Sequence, residues 1–188
     1  LQYIQECNQI RQSIGLPALQ VTDTLMAIGM ANAERVATEF SHSGQFTGVG
    51  ENIASGFTAP KTPFSAWYDK EKVLFDQAVA SGNYPGLATM TPSQVNATYP
   101  ELFRQVGHYL IIVDPTKTTT GYGVAGSTAG VHAQVFGGTN TLRSQLSGQT
   151  LTHGRTMTVE AYLADLQAYK AEVNGAKSAY DAALAAVS

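Results

Sequence analysis

Apolar residues recur along the first eighty positions at helical spacing. Leu1, Ile4, Cys7, Ile10 or Arg11, and Ile14 are separated by Gln, Glu and Asn, which predicts a helix over 1–14. Gly15 can adopt the left-handed stop conformation and Pro17 bars resumption. Thr22 or Asp23 caps a second helix over 23–40, whose wide apolar face includes Leu25, Ile28, Gly29, Ala33, Val36 and Phe40. Thr62-Pro63 is a start signal for a third helix over 63–80. On that helix Phe64, Trp67, Tyr68, Leu74, Phe75 and Ala78 fall within about one third of the circumference.

The rhythm then changes. Residues 80–105 are polar and rich in Gly, Pro and Thr, and read as a surface insertion with one short helix near Pro92–Ala97. Val106 to Val113 is dense in β-branched residues and predicts a strand that is apolar on both faces, inside a sheet covered on both sides. Tyr122–Gly126 and Val131–Phe136 predict a hairpin across Ser127-Thr128-Ala129-Gly130. Helices first and antiparallel strands later indicate an α+β layered domain.

The last segment differs again. After a polar link, Val159, Tyr162, Leu166, Tyr169, Val173, Ala176, Tyr180, Ala183 and Val187 alternate spacings of three and four, a heptad seam on a C-terminal helix. Such a helix can pack back on the domain, associate with another helix or a second copy, or begin a stalk. Gly175 weakens it by about 1 kcal/mol. The chain therefore divides into a domain over 1–138, a linker over 139–156 and a helix over 157–188.

Composition narrows the function classes. The net charge of -3 and a charged content of 13% argue against nucleic-acid binding, which rests on clustered Lys and Arg. No run reaches the ~18 apolar residues that span a bilayer. No signal segment opens the chain, and Leu1 already belongs to the amphipathic pattern, so the sequence reads as a mature or trimmed form. Cys7 is the single cysteine; it excludes an internal disulfide and a thiolate metal site, and its place on the apolar stripe predicts a buried side chain.

Four side chains are marked by their surroundings. His42 ends the second helical pattern, and Glu51 follows nine residues on in a glycine-rich turn. Glu71 lies in the middle of the third helix's apolar arc, where a carboxylate needs a partner. His108 shares a face with Val106 and Leu110. There is no HExxH helix, Walker-type loop or GxSxG turn. His132 is expected half-exposed and structural, and His153 solvated.

The segments Phe40-Ser41-His42-Ser43-Gly44, Gly50-Glu51-Asn52-Ile53-Ala54, Ala66-Trp67-Tyr68 and Gly107-His108-Tyr109, with a closing strand over Val131–Gly137, resemble the CAP superfamily (cysteine-rich secretory proteins, antigen 5, pathogenesis-related 1) in its bacterial SCP-like form. The resemblance covers residues 1–138 and leaves the C-terminal helix outside. It implies a three-layer α-β-α sandwich with an antiparallel central sheet, and a cleft lined by two His and two Glu. By motif position these are His42, Glu51 and His108, with a Glu on the tryptophan-bearing helix. That Glu usually comes three residues after the Trp, where this chain has Lys70; Glu71 comes four after, and the periodicity points to Glu71. The eukaryotic members' disulfides are absent, as suits an exported bacterial relative.

Such a cleft admits two chemistries. His42 and His108 could hold Zn2+ with water completing the shell, and Glu71 or Glu51 could act as general base in metal-assisted hydrolysis. Alternatively each Glu hydrogen-bonds a His in a metal-free cluster. The expectation is an extracellular or cell-wall-associated surface protein that binds a ligand, lipid or host component in the cleft. The alternative is a zinc-dependent hydrolase or peptidase, and the sequence leaves catalysis open.

Overall fold

Local capping sets the first elements of the computed structural model, which describes residues 1–126 and 130–186. Helix α1 spans Gln2–Ser13 and ends ahead of Gly15, whose φ of 82° is the left-handed stop the sequence suggested. Strand β1 (Gln20–Thr22) leads into α2 (Asp23–Thr38), where the Thr22 hydroxyl accepts from the Leu25 amide at 3.1 Å. Strands β2 (Phe46–Thr47) and β3 (Gly50–Ser55) follow. Glu51 thus sits on a strand rather than in a loop.

The third helical stretch covers residues 62–81 and is not uniform. It consists of α3 (Thr62–Phe64), a π-helical turn (Ser65–Lys70) and α4 (Glu71–Ser81). A 3-10 turn (Leu87–Thr89) and α5 (Pro92–Thr98), closed by a Thr91–Gln94 capping box, lie within the insertion. Its Leu87 and Val95 are buried with Leu102, Val106 and Leu110 in a satellite core, so the insertion is packed on the domain.

Residues 106–113 are not a strand. Residues 106–112 belong to α6 (Pro100–Ile112), with Pro in its first turn and Glu101 beside it, and Val113 is its C-cap. Leu102, Val106 and Leu110, four apart, form its buried stripe, while Ile112 reaches the main core. A short buried run reads alike as helix or strand, and the deciding signal lay upstream at Pro100. His108 is consequently a helical residue.

Strands β4 (Thr119–Ala125) and β5 (Val131–Gly137) form the antiparallel pair expected. Ser127, Thr128 and Ala129, where the sequence predicts a hairpin turn, and the last seam position Val187 lie outside the described residues. The segment read as a link carries β6 (Leu142–Ser144), β7 (Thr150–Leu151) and β8 (Thr156–Met157). The main sheet has the order β3-β5-β4-β1-β8, antiparallel except for the β1–β4 pair, and β2-β6-β7 form a small second sheet.

The sheet lies between two helical layers, the α-β-α sandwich expected. Helix α2 covers one face, with Ala33 and Val36 against Ile53, Ala125, Val131 and Ala133. On the other face Ile4 and Cys7 of α1, Trp67 and Ile112 pack on Tyr122 and Phe136. Cys7 is buried, and burial pushes its thiol up to about 12, which makes it inert. His132 is fully buried, not half-exposed: its Nε2 faces the Phe57 carbonyl at 2.7 Å and its Nδ1 the Tyr122 hydroxyl at 3.1 Å. Burial lowers its pKa, so it stays neutral. His153 is half-buried rather than solvated.

Helix α7 spans Val159–Ala186. Only Val159 and Tyr162 are buried, both in the main core; from Leu163 to Ala186 every residue is exposed. Arg155 anchors the base of the helix by pairing with Asp23 at 2.9 Å and Asp165 at 2.5 Å.

Candidate functional site at the edge of the sheet

Strand β3 forms one edge of the sheet, and alternate residues there face opposite helical layers. Glu51 points to the α2 side. Its carboxylate accepts from Asn32 Nδ2 at 2.6 Å and from the Ser43 amide at 3.4 Å, and meets His42 Nδ1 at 2.8 Å. Asn52 points to the α6 side, where its amide donates to the His108 carbonyl at 3.3 Å. The edge strand is therefore pinned to both layers, and the site wraps around it.

The second pair lies in the α6 layer. Glu71 Oε1 meets His108 Nδ1 at 2.5 Å, and Oε2 accepts from the Tyr109 amide at 2.9 Å. Trp67 backs this pair: its ring stacks on His108 with centroids 5.9 Å apart, and its Nε1 donates to the Ile53 carbonyl at 3.1 Å. The π turn explains why Glu71, four residues after Trp67, takes this place. A π turn holds one residue more than an α turn, so the fourth residue comes round to where the third would stand in a regular helix. Lys70 is left exposed.

The four side chains are thus brought together as two His–Glu pairs. The carboxylates are the sheltered members: side-chain exposure is 10% for Glu51 and 13% for Glu71, against 61% for His42 and 30% for His108. Each carboxylate is surrounded by donors, so each imidazole gives its Nδ1 proton and keeps Nε2 as an acceptor or ligand nitrogen. His42, Glu51, Asn52 and His108, with Phe103 and Ile111, line a cavity of about 280 Å³. Glu71 stands behind His108 and does not line it. An adjoining cavity of about 270 Å³ shares Phe103 and Ile111. A larger cavity, about 580 Å³, lies between α1, β1 and the start of α7, and none of the four borders it.

Sequence reasoning missed Asn32, Asn52 and Phe103. Asn32 carried a readable signal, a buried amide four residues after Ile28 and four before Val36 on the apolar stripe of α2. The Oδ1 atoms of Asn32 and Asn52 are buried without a hydrogen-bond partner.

For zinc, the chemistry of the donors is half right. Imidazoles held at Nδ1 by carboxylates are the usual metal-ligand arrangement. Yet among the described residues no group of three or more His, Cys, Asp or Glu side chains is placed to hold a metal ion. Two nitrogens fall short of the three or four protein ligands typical of zinc sites.

The chain belongs to the CAP family, the cysteine-rich secretory protein family, whose profile matches residues 4–137. A search of curated protein sequences gave no match. Among solved structures, the chain is similar to an outer surface protein of Borrelia burgdorferi, with 14% identity, 72% of this chain and 88% of that chain covered, and a TM-score of 0.41. It is also similar to a venom allergen-like protein of Schistosoma mansoni, with 14% identity, 81% and 89% covered, and a TM-score of 0.47. Among the described residues no helix is long and apolar enough to cross a membrane.

Proposed function

We propose that the protein is an exported, surface-associated binding module that takes a small ligand, or the apolar end of a larger one such as a lipid, into the cleft at the sheet edge. The observation that carries this reading is the division of labour in the two pairs. Both carboxylates are sheltered and already hydrogen-bonded, so they fix the imidazoles: Glu71 stands behind His108, and Glu51, though it borders the cleft, has its oxygens engaged by Asn32, His42 and Ser43. What remains for a ligand is a wall built on Phe103, Arg104, Gly107 and Ile111, and two Nε2 acceptors. That combination suits an apolar body bearing a hydroxyl or another donor. The volume lies near the lower end of small-molecule sites, ~300–1,000 Å³. The secretory family supports export.

Trp67 is the single tryptophan and stacks on His108, so its emission reports on the cleft. Titration with a panel of long-chain alcohols and matched alkanes is expected to give a saturable change that favours the alcohols and is lost in His108→Ala. Wild type and Glu71→Ala are assayed on peptide and ester libraries. Turnover that Glu71→Ala abolishes, with the circular dichroism spectrum retained, overturns the binding reading.

The carboxylate-held imidazoles favour one second reading, a weakly held zinc ion between His42 and His108. Calorimetry at neutral pH is then expected to show zinc binding that His42→Ala or His108→Ala abolishes. A flat zinc titration at neutral pH removes that reading and leaves the first intact.

A further inference from the structure

Helix α7 leaves the body of the domain after its first turn, and its apolar stripe continues without cover. Leu166 is 45% exposed, Tyr169 66%, Val173 47% and Tyr180 66%, with Ala176 between them and Ala183 one turn beyond. In proteins a helix gains most of its stability by packing such a stripe against a partner. Numbering the seam as a heptad puts Leu166, Val173 and Tyr180 at a, and Tyr169, Ala176 and Ala183 at d. The charges beside the seam then separate by sign: Asp165 and Glu172 occupy g, and Lys170 and Lys177 occupy e.

That separation selects both the partner and its orientation. In a parallel pair of identical helices in register, each g residue faces the e residue five positions on in the other chain. Asp165 therefore meets Lys170, and Glu172 meets Lys177, twice each by symmetry. An antiparallel pair would set g against g and e against e, acid beside acid and lysine beside lysine. Among the described residues Glu172 and Lys170 form no ion pair within the chain, and Lys177 makes only an exposed pair with Asp181 one turn away at 2.6 Å. Asp165 already holds Arg155, which ties the start of the seam to the body.

We propose that α7 is a dimerisation element through which two copies of this chain join as a parallel, in-register coiled coil. The surface is independent of the cleft and of any ligand there. The Tyr and Ala layers make the seam thinner than one of Leu, so the dimer is concentration-dependent.

Sedimentation equilibrium on the full chain tests this. The wild type is expected to show a reversible monomer–dimer equilibrium. Glu172→Lys and Lys177→Glu each turn two attractive pairs into repulsive ones and are expected to weaken the dimer by about tenfold. An equimolar mixture of the two variants restores both pairs and is expected to recover wild-type association. Leu166→Cys reports orientation, because like a positions adjoin only in a parallel, in-register pair; mild oxidation then links two chains, while buried Cys7 stays out of the reaction. A monomer at every concentration, a mixture no tighter than the separate variants, or no cross-link through Leu166→Cys overturns the proposal. An assembly of three or more chains overturns its two-chain form.

Discussion

Gly121→Ala is expected to yield a protein that does not fold stably. A Cβ at Gly121 would stand 2.0 Å from both the carbonyl carbon and the oxygen of Leu25, and one at Gly123 would stand 2.2 Å from the Gly29 oxygen. Backbone meets backbone at these points, so no change of rotamer relieves the clash. Helix α2 has to lift from β4, and Leu25, Ile28, Ala33 and Val36 lose their packing with it. Ordinary overpacking costs about 1–3 kcal/mol. A clash the backbone cannot evade belongs above ~4 kcal/mol, against a total stability of about 5–15 kcal/mol. Because Asn32 rides on the same helix, Glu51 and His42 lose their alignment too. Gly175→Ala is the control, since nothing lies within 4 Å of the Cβ it would add; it is expected to strengthen α7 by up to about 1 kcal/mol. Urea unfolding followed at Trp67 reads the Gly121 effect. A midpoint for Gly121→Ala close to wild type would show that α2 does not rest directly on the strand.

What could be read in the sequence followed from how local each signal was. The ends of α1 and α2 were legible because Gly15 and Thr22 act on their immediate neighbours. Glu71 was legible because a carboxylate in an apolar arc must be answered, and His108 answers it. The π turn that puts it there has no such marker, since Ser65–Lys70 is ordinary helical sequence in which only Trp67 is buried. Alone, Val106–Val113 reads as a strand; Pro100 and the four-residue spacing of Leu102, Val106 and Leu110 mark the helix. Strands β6, β7 and β8 have two or three residues each, too few for an alternation to register. Glu51 reads as a loop residue because glycines flank it; Gly50 lies close under Ile111, whose Cγ2 would be 3.3 Å from an added Cβ, so an alanine there would ask that side chain to give by a few tenths of an ångström.

Arg11→Met is expected to destabilise the protein by about 3–5 kcal/mol, the scale of stranding buried polar groups. The stripe of α1 admits either Ile10 or Arg11 at its third turn, and the structure buries Arg11 completely. Its guanidinium donates to four carbonyls: Pro17 at 3.1 Å, Ile112 at 2.7 Å, Asp114 at 3.1 Å and Lys117 at 3.0 Å. Two of these lie at the end of α6, where a cation also suits the negative pole of the helix. Burial pulls the pKa of Arg11 below its ordinary value, with the charge of Asp114 among the groups acting the other way. Methionine fills the volume yet strands the carbonyls. Lysine brings a charge but a single compact nitrogen, so Arg11→Lys is expected to recover only part of the loss. The effect reaches the cleft because α6 carries His108. Amide exchange at the C-terminal end of α6 should quicken in Arg11→Met before global unfolding, and Trp67 emission should shift. If Arg11→Met unfolds within about 0.5 kcal/mol of wild type, the four carbonyls find other donors, and the clamp between α1 and the His108 helix is not what holds the cleft in place.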